Sequence, residues 1–466
     1  MSATRQPRRT HPVVTFVLVS VGLFMVTLDN LVVSTALPVI RVDLGTTLEQ
    51  LEWTVNAYTL SYAVFLLSGA ALGDRFGRRR MFAFGLALFT LGSTAAALAP
   101  SVNTLVAARA LQGLGAAFVT PLSLTLLSEV VPDGKRGLAI GAWSGVSGLG
   151  VAMGPVVGGA ITEGIAWQWI FWVNVPIGIV VVPLAARLLR ESTGPDRGLD
   201  PPGLLLAIGA LVPLTFGVVR ASALGWGSAT VLASLAVGVA MFIAFLVAES
   251  RAAEPMLPLR FFRSRAFSAT NAASFVMFFG IFGSIFFLSQ FFVTVQGFTP
   301  LQAGVRILPW TAMPIFIAPV AGLLSDRIGA RPLMATGLAL QSAAMFWVAH
   351  YAGVDTPYTD FIPAFIAAGT GMSLVFAPSA NAVLSSVQPQ EAGKASGATN
   401  TIRELGGVAG VAVLATVFAA AGGYASPQDY VDGLRAALPV GGCVLAAGAL
   451  IALLIPRHRR SVASSE

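Results

Sequence analysis

Gly73-Asp74-Arg75-Phe76-Gly77-Arg78-Arg79-Arg80 lies between two long apolar runs, and Ser325-Asp326-Arg327-Ile328-Gly329-Ala330-Arg331 lies between two others. The second Asp-Arg-x-Gly follows the first by 252 positions, Asp74 to Asp326. A short polar turn that recurs at the same place in two hydrophobic halves marks an internal structural repeat. Outside these turns the chain is strongly apolar. Of its 466 residues, 56% are hydrophobic and only 11% charged, with mean hydropathy +0.80. A soluble domain carries about 25% charged residues. The charges are clustered and leave apolar stretches of about 20 residues, enough to cross a bilayer. Without water at that depth, each stretch satisfies its own backbone as an α-helix.

Fourteen spans are predicted, from 13–38 to 435–456. The expected fold is therefore an all-α polytopic membrane protein. A 1–12 tail precedes a six-helix half at 13–190, and a linker with two extra helices fills 191–265. A second six-helix half at 266–456 is followed by a 457–466 tail. The polar, Pro-rich flanks of the extra pair, Glu191 to Pro202 and Glu249 to Arg265, read as linkers. Arg5, Arg8 and Arg9 precede the first apolar run, as in a signal peptide. That run is too long for a signal core and contains Asp29, so it reads as an uncleaved helix.

Basic residues set the expected orientation. With both termini cytoplasmic, most of the 28 Lys and Arg fall on the cytoplasmic side, Arg197, Arg457, Arg459 and Arg460 among them. The opposite loops carry mainly acids, including Asp43, Glu49, Glu52, Asp355 and Asp360. This asymmetry follows the positive-inside rule. It accounts for the net charge of +7 through lipid headgroups, with no nucleic-acid partner. Cys443 stands alone, and His11, His350 and His458 form no metal-ligand pattern. No Gly-x-Ser-x-Gly, His-Glu-x-x-His or phosphate loop points to an enzyme, and no cofactor is expected.

The Gly73–Arg80 stretch resembles the loop between spans 2 and 3 of the major facilitator superfamily. Two surplus helices between the halves resemble its fourteen-span drug:proton antiporter family. Leu28-Asp29-Asn30-Leu31-Val32-Val33-Ser34-Thr35-Ala36-Leu37-Pro38 is similar to that family's span-1 signature, with Ser34 where Asn is frequent. Ala107-Ala108-Arg109-Ala110-Leu111-Gln112-Gly113-Leu114-Gly115 resembles the superfamily's span-4 arginine motif. Gly150-Val151-Ala152-Met153-Gly154-Pro155-Val156-Val157-Gly158-Gly159 resembles the Gly-Pro signature of antiporters.

The resemblance implies a proton-coupled antiporter that exports amphipathic drugs, biocides or metabolites by alternating access. Protons are the coupling ion, and Asp29 and Arg109 are expected to couple them. A buried carboxylate costs a few kcal/mol, so it is seldom kept without use. Against this stands a carboxyl hydrated near the outer boundary or capping a helix. Arg109 reads either as its partner or as an arginine snorkelling from a helix end. Gly73, Asp74, Arg75, Gly77, Arg78, Asp326 and Arg327 are expected to gate. There Asp74 meets either a helix N-terminus or an arginine across the contact between halves. Gly150, Gly154, Pro155, Gly158 and Gly159 let helices rock or simply pack.

Trp53, Asn56, Tyr58, Gln112, Phe282, Gln290 and Glu404 are candidate cavity residues, and Asn174 of Trp172-Val173-Asn174-Val175-Pro176 reads as structural. Glu404, placed at the inner end of span 13, is the only acid assigned to the second half's spans. Dicationic cargo is therefore disfavoured relative to neutral, monocationic or anionic amphiphiles. The expected location is the cytoplasmic membrane of a bacterium, multi-pass, with the chain working as a monomer beside membrane lipid. The alternative is a facilitator-fold carrier of another direction or cargo, such as nutrient import or lipid-linked export.

Overall fold

The structure, a computed structural model, describes residues 12–46, 48–132, 135–194 and 200–457. Arg5, Arg8, Arg9, His11, Arg197, His458, Arg459 and Arg460 lie outside them, as do the side chains of Ser34, Pro38, Glu49 and Glu52. Among the described residues no strand occurs.

The first half runs α1 (Pro12–Asp43), α2 (Leu48–Phe76), α3 (Arg78–Ala97), α4 (Val102–Val130), α5 (Arg136–Gly164), α6 (Trp169–Trp172) and α7 (Asn174–Leu188). Two further helices follow, α8 (Pro201–Leu224) and α9 (Ala229–Arg251). The second half runs α10 (Arg265–Gln290), α11 (Pro300–Thr311), α12 (Met313–Ile328), α13 (Ala330–Tyr351), α14 (Ile362–Ser385), α15 (Ala392–Ala421) and α16 (Pro427–Ala452). They make 14 spans of 20 residues or more, with mean hydropathy from 1.3 to 2.7. Twenty residues rise about 30 Å, the thickness of the hydrocarbon layer.

Of the fourteen spans, the sixth and the tenth are broken, into α6–α7 and α11–α12. Proline explains both breaks. Pro176 has no N–H for the Trp172 carbonyl, nor Pro314 for that of Trp310.

The halves interlock reciprocally. From the first half, α5 packs against α11 and α12; from the second, α15 packs against α2. Both invading helices begin with a glycine pair four residues apart. Gly137 touches Gly322 and Asp326, and Gly141 lies 2.5 Å, measured from an added Cβ, from the Ala318 carbonyl. Gly393 touches Asp74, and an added Cβ on Gly397 would fall 2.6 Å from that of Ala70. Only glycine allows backbones this close.

The extra helix α8 covers the seam where α2 meets α15, and α9 packs mainly on α8. Only 17% of the α9 span is buried, against 83% for α4. The exposed Leu232, Val237, Phe242 and Ile243 of α9 are suited to lipid.

Candidate functional site

Asp29 lies near the middle of the 32-residue α1 and is 1% exposed. That burial excludes the hydrated or capping carboxyl. Arg109 of α4, fully buried, forms an ion pair with Asp29 Oδ2, which excludes snorkelling. Asp29 Oδ1 accepts from Gln112 Nε2 and from Asn174 Nδ2, both at 3.1 Å. Arg109 also donates to Gln112 Oε1 at 2.9 Å and to the Thr54 carbonyl at 3.1 Å. Its guanidinium lies 4.3 Å from the centre of the Tyr58 ring. Gln112 Nε2 reaches Ser93 Oγ of α3 at 2.7 Å. Five helices thus converge on one carboxylate. Each charge compensates the other's desolvation, so neither is tolerable alone.

The glycine stripe of α5 ties this carboxylate to the opposite half. Gly150, Gly154 and Gly158 face Thr27, Leu31 and Thr35 of α1, the middle pair at 2.6 Å from an added Cβ. Gly159 and Pro155 face the other way, against Leu301 and Gly304 of α11. Measured likewise, these contacts are 2.7 and 2.8 Å. A single helix therefore grips the Asp29 helix on one face and the second half on the other.

The repeated loops close one end of the bundle. Gly77 and Gly329 occupy the same place in each repeat, at φ 108° and 83°, a left-handed conformation costly for other residues. Arg78 is buried, pairs with Asp74 and Glu129, and donates across the seam to the Gln390 carbonyl at 2.8 Å. Asp74 meets the first turn of α15 at Gly393, where the helix dipole favours an anion. Its arginine is thus its own i+4 neighbour rather than one from the other half.

In the second repeat Ala330 stands where the first has Arg78. Asp326 instead accepts from Asn381 at 2.8 Å and abuts Gly137 at the start of α5. Arg327 is exposed, and Arg75 stacks over Phe76 at 5.2 Å. Gly393→Leu is expected to hold this end open, since its side chain would occupy the place of the Asp74 carboxylate. Cysteine crosslinking between Ala70 and Gly397 positions should fall several-fold in that variant, and unchanged crosslinking would refute the closure.

The remaining candidates separate. Tyr58 and Gln112 belong to the Asp29 network. Trp53 turns to α8, stacking on Phe216 at 6.0 Å, with Arg220 5.6 Å from its ring. Asn56, Phe282 and Gln290 are half-buried, Phe282 stacking on Phe278 at 5.4 Å. Phe287, Phe291 and Phe292 are core, packed among Phe361, Phe365 and Phe418.

Glu404 is displaced most from its expected position. The helix predicted at 400–422 starts at Ala392, so Glu404 lies twelve residues in, about 18 Å along the axis. It is half-exposed and within electrostatic reach of Tyr62 on α2. Its neighbour Arg403 is buried, donating to Ser379 at 2.7 Å over the Phe376 ring. The second half therefore carries a carboxylate well inside a helix rather than at its end. By the extent of the apolar helices Asp326, Asp360, Glu391, Asp429 and Asp432 also fall within the second half's spans, but all five lie near helix ends. Asn174, read as structural, is a direct partner of Asp29; its signal was an amide in a helix interrupted by Pro176.

Two reciprocally packed six-helix halves, a caged carboxylate and a glycine-lined seam are the features of a polytopic membrane transporter. The chain belongs to the Major Facilitator Superfamily, which it matches over residues 19–411. It is 35% identical over 426 residues to the tetracenomycin C resistance and export protein of Streptomyces glaucescens, covering 91% of this chain and 79% of that one. It is 33% identical over 457 residues to the multidrug efflux pump LfrA of Mycolicibacterium smegmatis, covering 96% of this chain and 90% of that one. The human organic anion transporter MFSD10 shares the fold, with a TM-score of 0.67 at 14% identity over 96% of this chain and all of that one.

Proposed function

We propose that this protein is a proton-coupled antiporter exporting amphipathic drugs, biocides or metabolites from the cytoplasm. The observation that carries the reading is the buried Asp29–Arg109 pair, whose aspartate helix α1 packs on the glycine face of α5. The drug-export relatives support the direction. Both termini lie in the cytoplasm on this reading, so the Asp74 and Asp326 loops seal the cytoplasmic end. A proton from outside neutralises Asp29 and weakens its hold on Arg109. The halves then rock, cargo enters from inside, and the proton leaves to the cytoplasm. The protein works as a monomer in a bacterial cytoplasmic membrane, with protons as its coupling ion and no cofactor.

On this reading the cargo class includes cations, because Glu404 places a half-buried carboxylate well inside α15. Glu404→Gln is expected to raise the half-saturating concentration of a dicationic bisbiguanide about tenfold, the loss of one charge contact of about 1.4 kcal/mol. A neutral cargo should be little affected. Equal shifts for both would remove Glu404 from the cargo site. The overall reading is tested by proton-gradient-driven uptake of a fluorescent lipophilic cation into everted vesicles. Uptake that requires the gradient supports it, and gradient-independent equilibration refutes coupling.

A further inference from the structure

Within the network around Asp29, two buried polar atoms make no hydrogen bond, the donor Arg109 Nη2 and the acceptor Asn174 Oδ1, and only the acceptor is one that the anionic carboxylate cannot serve. Asn174 is 1% exposed, and its Nδ2 donates to Asp29 Oδ1 at 3.1 Å. Its Oδ1 is fully buried and makes no hydrogen bond. The other amide, Gln112, is engaged on both sides: Oε1 accepts from Arg109, and Nε2 donates to Asp29 and Ser93. The Thr54 carbonyl already accepts from Arg109. An orphaned acceptor beside a buried carboxylate calls for a reason, since leaving one buried costs about 1–3 kcal/mol.

We infer that Asn174 is a positioning residue that gives Asp29 a hydrogen-bond partner in both protonation states. The inference rests on the proton-coupled reading above. With Asp29 ionised, the amide N–H group donates to Oδ1. When a proton from the outer solution adds to Oδ1, that oxygen becomes a donor and the N–H group is wrongly placed. A half-turn of the carboxamide about its soft terminal torsion brings Asn174 Oδ1 into the same position to accept. No helix has to move for this exchange. When the proton leaves, the amide turns back.

Placement of the residue follows from the chain. Pro176 interrupts span 6 two residues later, so Asn174 opens α7. Among the described residues, the titratable groups facing Asp29 are Arg109 of α4 and Tyr58 of α2, whose hydroxyl donates to the Val26 carbonyl at 3.3 Å. The ionisable residues of α5 and α7, Arg136, Glu163 and Arg187, stand at helix ends, and α6 has none.

The test compares pH profiles of ethidium transport in proteoliposomes for the wild type, Asn174→Leu, Asn174→Ser and Asp29→Asn. A bond to the carboxylate is worth more than one to the neutral acid. Asn174→Leu should therefore move the half-maximal pH upward by about one unit. Asn174→Ser, whose hydroxyl donates and accepts, should move it less. A purely structural amide would alter the rate and leave the midpoint in place, and that result overturns the inference. If Asn174→Leu fails to reach the membrane, the midpoint of Asn174→Ser decides by the same criterion. Asp29→Asn separates the two levels. A flattened profile in that variant beside an unmoved Asn174→Leu midpoint removes only the role of Asn174. A wild-type profile in Asp29→Asn removes the proton-coupled reading and this inference together.

Discussion

Everted vesicles carrying the Asp29→Asn protein are expected to accumulate no more lipophilic cation than vesicles without the protein. The wild type should concentrate it in proportion to the imposed proton gradient. Asparagine keeps the shape of the side chain and an oxygen that accepts from Gln112 or Asn174, but it cannot exchange a proton. Downhill exchange of labelled cargo needs no proton and should persist in the variant. That persistence separates lost coupling from lost folding, a necessary control because the variant leaves Arg109 buried without its anion. Equal gradient-driven accumulation in both proteins would place coupling elsewhere, with Glu404 the next carboxylate to examine.

Arg109→Met is expected to be the most damaging single substitution for stability. It removes the counter-charge from a carboxylate that is 1% exposed, a loss of about 3–5 kcal/mol for a buried pair. Thermal unfolding in detergent should show a clear drop in midpoint for Arg109→Met. The double variant Asp29→Leu with Arg109→Met should recover most of it, because apolar residues of similar size can replace a buried ion pair at little cost. Both proteins should be inactive in gradient-driven transport. A double variant no more stable than the single one would show that α1 and α4 depend on packing lost at these positions rather than on charge compensation.

Asp29 and Arg109 could be singled out from the chain because charges within apolar runs are expensive and therefore conspicuous. Their contact could not, since 80 residues separate them and either could have turned to an interface. The α5 glycines show the same division. Their spacing at 150, 154 and 158 announced a smooth helix face, yet only packing revealed that the face meets α1 while Pro155 and Gly159 meet α11.

Glu404 was misplaced for a specific physical reason. The residues Gly393 to Asn400 are small or polar apart from the charged Lys394 and lack the hydropathy of a span, yet they are helical and buried. Hydropathy reports what a segment would prefer next to lipid, and these residues face protein. For the aromatic residues of α10 the difficulty was one of direction. Phe side chains suit lipid, cavity and core alike: Phe278 and Phe287 are core, Phe282 packs against it, and Phe286 is exposed.

Sequence alone determined the membrane class, the fourteen spans and the duplication, because each follows from local hydropathy or from a turn copied at 74 and 326. Tertiary structure decided what the buried charges and glycines touch. Those contacts join helices far apart in the chain, and their closeness depends on rotation about each helix axis, which no local pattern specifies.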